Sequence, residues 1–337
     1  MTRFISGLQL NRLFFREVLR PILQSQWPRL RYSAGLLGWG SDVLGLDTPR
    51  STDHMWGPRT LLFLSDDDHA SHATEIAEHL RHTLPHTFRG HWVHFGKPDA
   101  VGVRRGERSA TGPVEHMVEV FTPTSFLRRY LQVDAERDLV PADWLAFSEQ
   151  SLLEVSSGEI FHDGLGQVCR LRERLAYYPH DVWLHKLARA WQDLSDEEAF
   201  PGRCHELGDE TGRRILVARQ VRKAMYLCFL LERRYAPYSK WFGTAFQRLR
   251  SGRQIGPTLN AALTASSWPA CERHLIAAYE YVARKHNRLG ITANQPAKAT
   301  FYFGRPYRVI WGDRFAEASR DAIRDPQVRE HTHTKRH

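Results

Sequence analysis

The chain has 337 residues, of which 42% are hydrophobic and 25% charged, and it carries a formal net charge of +9. That length suits two domains better than one ordinary core, and the composition is that of a globular protein, not a disordered or fibrous one. The positive charge suits nucleic acid, a nucleotide or another anion, although arginine is spread along the chain and not gathered into one tract.

No apolar run approaches the ~20 residues needed to span a membrane, so no membrane partner is expected. The first twenty residues lack the apolar core and small-residue cleavage site of a signal peptide. Cys169, Cys204, Cys228 and Cys271 are widely spaced, with no CxxC pair. They read as reduced thiols in a cytoplasmic protein.

In chain order, Leu10, Leu13, Phe14, Val18 and Ile22 recur at helical spacing and predict a helix over 5–24, bent at Pro21. The run SAGLLG predicts a short strand, followed by a turn at Gly38, Gly40 and Ser41. Residues 42–58 read as loop, punctuated by Asp47-Thr48-Pro49 and Gly57-Pro58. Thr60 to Leu64 is a continuous apolar run, the mark of a strand buried on both faces. Ile76, Ala77, Leu80 and Leu84 mark a helix, and residues 92–95 a further strand. Residues 99–113 read as an exposed loop. Val114 to Phe121 alternates as a strand, with Glu115 and Glu119 on one face.

After Pro123 the pattern turns mostly helical. Leu184, Leu187, Ala188 and Trp191 share one face; Ile215, Ala218, Val221, Met225, Cys228 and Leu231 form a long stripe; Leu275, Ala278, Tyr279 and Val282 form another. Gly202, Gly208 and Gly212 suggest a loop before the longest helix. A boundary near 122–140 divides an α/β domain (1–130) from a helical substrate or nucleotide-cleft domain (131–325), with a polar tail at 326–337.

Leu37 to Phe63 carries the chemistry. Gly40-Ser41 follows an apolar run, and Asp53 follows a polar loop, with eleven residues between it and Ser41. Nucleotidyl transfer needs a tight turn whose backbone N–H groups cradle phosphates, and carboxylates that hold a metal against them. Gly40 allows close backbone approach, Ser41 offers a hydroxyl, and Asp53 can ligate Mg²⁺, a hard cation that takes oxygen ligands. Glu119 is the candidate for a further metal-holding carboxylate, with Glu115 behind it. Met55 stands where the pattern calls for a second acid, and a thioether is a poor Mg²⁺ ligand. Asp42 or Asp66 would then have to supply the missing oxygen. His54 could bind a phosphate or a softer metal, or with Trp56 simply anchor the loop.

In the helical half, Lys240 could bind a phosphate as a point charge and Arg233 or Arg234 bidentately, while Tyr235, Tyr238 and Trp241 could stack on a base. A helix end with cations complementing its dipole is the structural alternative. Glu206, Asp209 and Glu210 fit helix capping, with metal binding or general-base work as the alternative; Asp181 fits an N-terminal cap; His286-Asn287 fits a buried hydrogen-bonded pair or a ligand contact. Seven histidines lie between His69 and His94. His79 and His82 share a helix face, but no third zinc ligand is suitably spaced.

Beyond Gly40-Ser41, the segments DHMWGPR (53–59), YYPHDVW (177–183), ELGDETG (206–212), LLERRYAPYSKWFGTAF (230–246) and HNRLGIT (286–292) resemble those of a bacterial family of unknown function described as nucleotidyltransferase-like. The resemblance runs from about Phe4 to Asp325. More distantly the chain is similar to kanamycin-type antibiotic nucleotidyltransferases. The resemblance implies an α+β protein: a nucleotidyltransferase (polymerase-β-like) α/β domain followed by a mostly helical domain. Gly40, Ser41 and Asp53 match the general motif and Met55 departs from it.

The activity expected is transfer of a nucleoside monophosphate from an NTP to a small-molecule or protein acceptor, with Mg²⁺ held by Asp53 and Glu119. The nucleotide would be bound by Gly40, Ser41, His54, Lys240 and Tyr238. The alternative is a catalytically degenerate fold that binds a nucleotide or nucleic acid. A third reading is a nucleic-acid partner using the basic loop at 103–108.

Overall fold

The computed structural model describes residues 4–133 and 137–333, with side chains through 331. The chain divides into two compact units. The first comprises Met1–Asp138 and Phe147–Ala176, the second Leu139–Ala146 and Tyr177–His337. The boundary expected near 122–140 overlaps 134–136, which lie outside the described residues.

The first unit opens with α1 (Gly7–Phe14) and α2 (Arg20–Gln26), joined by a π-helical turn at Phe15–Leu19. Pro21 sits in the first turn of α2, where its missing N–H costs nothing. The bend expected there takes the form of the wider turn just before it, in which the Arg20 N–H reaches the Phe15 carbonyl. Then come β1 (Ser33–Leu36), a 3₁₀ turn at Pro49–Asp53, β2 (Arg59–Phe63) and α3 (Asp66–Thr83). β3 (Thr87–Phe88) and β4 (His91–Trp92) make a small hairpin. The strand expected over 92–95 is confined to β4 and an isolated bridge from Phe95 to Gly106. β5 (Met117–Phe121) starts three residues later than the alternation suggested, because His116 turns its Nδ1 to the Val118 N–H. α4 (Pro123–Leu131) follows, then α5 (Pro141–Ala146), which belongs to the second unit.

α6 (Glu149–Ser156), β6 (Glu159–Asp163) and α7 (Val168–Arg174) complete the first unit. The sheet order is β5-β2-β1-β6, with β2 and β5 parallel and the other pairs antiparallel. β6 is a strand in a stretch whose sequence carries no alternation of burial, since every residue in it is half-buried. All five residues of β2 are buried, as the apolar run implied. One sheet face, carrying Ala34, Leu62 and Val118, packs on Leu10, Phe14, Ile76 and Leu80 of the helices. Met117 lies on the opposite face, in a separate cluster with Met55 and Phe95. Glu119 follows it by two residues and shares that face.

The second unit is helical: α8 (His180–Glu198), α9 (Phe200–Glu206), α10 (Glu210–Leu231), α11 (Ser239–Arg248), α12 (Arg250–Thr264) and α13 (Trp268–Arg288). The hairpin of β7 (Thr300–Phe301) and β8 (Arg308–Val309) precedes α14 (Gly312–Asp321) and α15 (Pro326–His333). The expected polar tail is therefore helical to His333; residues 334–337 lie outside the described residues. The glycine-marked loop before α10 is largely α9, where Gly202 lies against the Tyr307 ring.

The stripe on α10 also differs from expectation. Ile215 is 56% exposed, whereas Arg213, Val217, Gln220, Ala224 and Leu227 are buried. Arg213 and Gln220 are tolerated inside because both are bonded, Arg213 to Glu210 and Gln220 to the Tyr279 hydroxyl at 3.0 Å. Trp191 stacks on Phe315 with ring centroids 4.4 Å apart and donates its Nε1–H to His286 Nδ1 at 3.0 Å. Of the expected His286-Asn287 pair, His286 is buried and hydrogen-bonded, whereas Asn287 is half-buried and bonds to Gln295. Asp209 caps α10 as expected, accepting from the Gly212 N–H. Asp181 does not cap its own helix; its carboxylate accepts the N–H groups of Arg324 and Asp325.

Candidate functional site

The candidates of the Gly40-to-Glu119 site lie in the first unit, and those of the 233–241 segment, Lys240 and Tyr238 among them, in the second. The Gly40 turn follows β1. Gly38 has φ +85° and Gly40 φ +135°, values open to glycine and strained for other residues. The turn tightens through Leu46 N–H to the Ser41 carbonyl at 2.7 Å and Gly45 N–H to the Asp42 carbonyl at 2.9 Å. Among the described residues, the backbone N–H groups of Gly40, Ser41 and Asp42 have no hydrogen-bond acceptor, and neither does the Ser41 hydroxyl donate to one. Gly40 and Ser41 are half-exposed. Three successive unpaired backbone donors are the material of an anion-binding nest.

Asp42 supports the turn from below. Its Oδ1 accepts from Arg59 Nη2 at 2.6 Å and from the Val43 N–H at 3.0 Å. Arg59 Nη2 also donates to the Trp39 carbonyl, and the guanidinium lies 6.0 Å from the Trp39 ring centre. The pair therefore links the turn to the first residue of β2. It also engages Asp42, which the sequence reading offered as a substitute metal ligand. Asp66, the other substitute, is the first residue of α3, in the acidic first turn beyond the Ser65 cap.

The loop between the turn and β2 is held at several points. Asp47 Oδ2 accepts the Gly7 N–H at 2.7 Å and Trp56 Nε1–H at 3.0 Å. Asn11, buried on α1, donates to the Gly57 carbonyl and accepts the Arg59 N–H. Trp56 thus anchors the loop, as one reading allowed. Asn11 was not singled out from the sequence; a carboxamide on an otherwise apolar helix face was its only signal.

Asp53 ends the 3₁₀ turn and does not stand on a strand: β2 begins six residues later. Its side chain is 68% exposed, and Oδ1 meets His54 Nδ1 at 2.7 Å. Desolvation pushes its pKa up, but the His54 hydrogen bond and charge outweigh it and hold the carboxyl below its ordinary value. Met55 follows at φ +48°, buried, with its side chain in the cluster with Phe95 and Met117. Its sulfur accepts the Arg104 N–H at 3.0 Å, while its own N–H donates to the Arg104 carbonyl at 2.8 Å. Glu119 pairs with Arg129 at 3.2 Å. Glu115 pairs with Arg81.

Near the turn, a Cβ at Gly38 would lie 2.3 Å from the Tyr130 hydroxyl, so the phenol fills the space a side chain would take. Burial pushes the Tyr130 pKa up to about 12, with Arg129, Glu119, Arg59 and Glu154 close enough to act on it electrostatically. Glu154 gives its backbone carbonyl to the Gly38 N–H at 3.0 Å, and burial raises its own carboxyl pKa against the Gln150 hydrogen bond. Neither residue was singled out from the sequence, because both arrive from helices far along the chain.

The donor set does not fit a two-metal centre. Among the described residues, no three His, Cys, Asp or Glu side chains gather to hold a metal ion. The position two after Asp53 offers a thioether engaged by a backbone N–H. In the histidine-rich segment, His79 meets the Trp27 ring edge, His72 pairs with Glu75 and His82 with Glu78.

In the second unit, Tyr238 is the N-terminal cap residue of α11 and is 49% exposed; Lys240 lies over the Trp241 ring at 5.1 Å. Arg233 covers the Trp183 ring at 4.2 Å. Tyr235 is buried against Tyr177 and Tyr178, so it packs in the core and is not open to a base.

The sequence profile of a family described as a domain of unknown function (DUF4037) matches residues 144–242. No curated protein matches the chain. A similar solved structure is a nucleotidyltransferase-like protein from Exiguobacterium sibiricum 255-15, 11% identical, with a TM-score of 0.35, covering 82% of this chain and 75% of that one. No helix among the described residues is long and apolar enough to cross a membrane.

Proposed function

We propose that the first unit is a nucleotidyltransferase-type domain that binds a nucleotide through its phosphates at the Gly40-Ser41 turn and does not transfer the nucleotidyl group. One observation carries this reading. The N–H groups of half-exposed Gly40 and Ser41, that of buried Asp42 behind them, and the Ser41 hydroxyl lack partners among the described residues, while the position that should supply a second metal ligand holds a buried thioether. The first feature favours an anion. The second withholds the oxygen that a clamp on two metal ions needs. His54, half-exposed beside Asp53, could add a hydrogen bond to a phosphate oxygen. Lys240 and Tyr238 remain candidates for nucleotide contact by chemistry alone.

The transfer reading has one observation in its favour. Asp53 is ionised and exposed, and its Oδ2 has no partner among the described residues, so it could hold a single Mg²⁺ together with substrate phosphates. An acceptor hydroxyl or amine would then displace pyrophosphate.

The test is equilibrium dialysis of the full chain with each labelled NTP, with and without Mg²⁺, followed by assay for pyrophosphate. The reading expects saturable binding, no pyrophosphate across a broad acceptor panel, and loss of binding in Gly40→Ala. Pyrophosphate release that disappears in Asp53→Ala would establish transfer instead. Binding of RNA or DNA that collapses with added salt would favour the nucleic-acid alternative.

A further inference from the structure

A second site lies wholly within the helical unit and does not depend on the nucleotide reading. An open cleft of about 620 Å³ is walled by α8, α10 and α11. That volume falls within the range of small-molecule sites, roughly 300–1,000 Å³. α8 contributes Asp193 and Glu197, one turn apart; α10 contributes Arg219, Arg222 and Lys223; α11 contributes the buried Phe242.

The charges in this cleft divide into two sets. Glu197 takes both Arg219 and Lys223, which leaves that trio with one net positive charge. Three groups remain without a counter-charge among the described residues: Arg222, Asp193 and Asp196, the last accepting a hydrogen bond from Gln192 Nε2. Arg222 lies over the Phe242 ring at 4.4 Å and forms no ion pair among the described residues. The Asp193 carboxylate accepts no hydrogen bond there and has no cation within ion-pair distance. Asp193 and Lys223 are at the same level of the cleft, because Lys223 Nζ donates to the Asp193 carbonyl. Arg222 precedes Lys223 by one residue, and it lines the same cleft from α10 as Asp193 does from α8.

A nucleotide or other polyanion would meet the carboxylates of α8, and a polyamine would meet three cations on α10. A molecule with one charge of each sign meets neither obstacle. We propose that this cleft binds a free α-amino acid with an aromatic or large apolar side chain, its carboxylate on Arg222, its ammonium on Asp193, and its side chain against Phe242 and the Ala190 wall. A guanidinium held flat on a ring presents its edge for a bidentate carboxylate. Partial desolvation by the cleft wall raises the Asp193 pKa above its ordinary value, as an acidic group awaiting a cation would show.

The test is isothermal titration of the full chain with L-tryptophan, L-phenylalanine and L-leucine, then with N-acetyl-L-tryptophan and L-tryptophan amide. The expected result is saturable one-to-one binding of at least one free amino acid, at least tenfold weaker for both blocked derivatives. Arg222→Gln and Asp193→Asn should each weaken binding at least tenfold without moving the thermal midpoint, since both side chains are exposed. Arg284→Gln, on the exposed face of α13, should leave affinity unchanged. The proposal is overturned if none of the three amino acids binds saturably, if the blocked derivatives bind equally well, or if both cleft variants bind as the unaltered protein does.

Discussion

The Asp42 carboxylate and the Arg59 guanidinium meet at 2.6 Å beneath the Gly40 turn, with only 2% and 7% of their side chains exposed. The pair ties the turn to β2 across seventeen residues of sequence. It is incompletely satisfied, since Asp42 Oδ2 and Arg59 Nε have no partner. Removing one member therefore leaves an uncompensated buried charge.

Arg59→Met should cost about 3–5 kcal/mol of unfolding free energy, the usual penalty for breaking a buried pair from one side. The double variant Asp42→Leu with Arg59→Met should be more stable than the sum of the two single losses predicts. Urea denaturation of the four proteins, followed by tryptophan fluorescence, checks both statements. Additive losses would mean that the pair is not coupled.

Gly40→Ala tests the turn itself. An added Cβ would lie 2.3 Å from Asp42 Oδ1 and 2.4 Å from Arg59 Nη2, at a φ of +135°. Backbone strain alone costs about 1–3 kcal/mol, and the ion pair must also shift. Nucleotide affinity should fall at least tenfold, whereas Ser41→Ala, which removes one hydroxyl and leaves the backbone donors in place, should lower it less than Gly40→Ala does. Equilibrium dialysis with a labelled NTP measures the difference.

Met55→Asp restores the acid that the motif lacks. The residue is buried against Phe95 and Met117, so a carboxylate there loses solvation and packing together. Aspartate tolerates the φ of +48° better than methionine does, which offsets a small part of the loss. The variant should unfold at a lower temperature than the parent without metal. It should recover part of the difference when Mg²⁺ and NTP are added, while the parent shows no Mg²⁺-dependent shift. Differential scanning calorimetry reads both, and equal Mg²⁺ responses would show that residue 55 does not face the nucleotide.

Much of this architecture was legible in the sequence, for local reasons. β2 is a continuous apolar run whose burial follows from pattern alone, and α10 was visible as a long helix although its buried face includes Arg213 and Gln220. The Gly40 turn was visible because only glycine suits its dihedrals. What escaped depends on contacts between distant residues. β6 joins the first sheet beside β1 from more than 120 residues downstream, and its half-buried residues leave no alternation to read. Asp53 was expected on or just before a strand, but it ends a 3₁₀ turn, and residues 54–58 separate it from β2. Asp42 read as a spare metal ligand and Arg59 drew no reading of its own; only the fold shows that each serves the other.

In the second unit, Glu198 gives a pH-dependent term. It is buried on α8 and accepts the Ile310 N–H at 2.7 Å and the Gly312 N–H at 3.1 Å, at the start of α14. Burial raises its pKa to about 7, against the opposing effect of those N–H groups. Between about pH 4.5 and 7 the folded state holds a proton that the unfolded state has released. Stability from this group is therefore largest at low pH and declines as pH rises through that window, by about 3 kcal/mol in total. Glu198→Gln keeps one acceptor for the helix N-terminus and removes the titration. Its stability relative to the parent should rise between pH 5 and pH 8, a trend that urea denaturation at the two pH values would reveal.

His286 acts in the opposite direction over nearly the same window. Trp191 donates to its Nδ1, so the ring's proton resides on Nε2, which lies 3.0 Å from the Thr292 hydroxyl. A second proton would set N–H against N–H in a site with no exposure. Burial accordingly lowers the His286 pKa to about 4, and that of His185 to about 4 as well. Here the unfolded state binds the proton first, so each histidine's contribution is complete above pH 6.5 and is lost as pH falls toward 4, by about 3 kcal/mol each. For these three groups taken together, two losses set against one gain from Glu198 favour pH 7 over pH 4.5. Relative to the parent, His286→Gln should gain stability as pH falls from 7 to 4.5, whereas Glu198→Gln should lose it. Urea denaturation of the three proteins at pH 4.5, 5.5 and 7 decides it: a His286→Gln profile parallel to the parent would mean that the ring is protonated as readily in the folded chain as in the unfolded one.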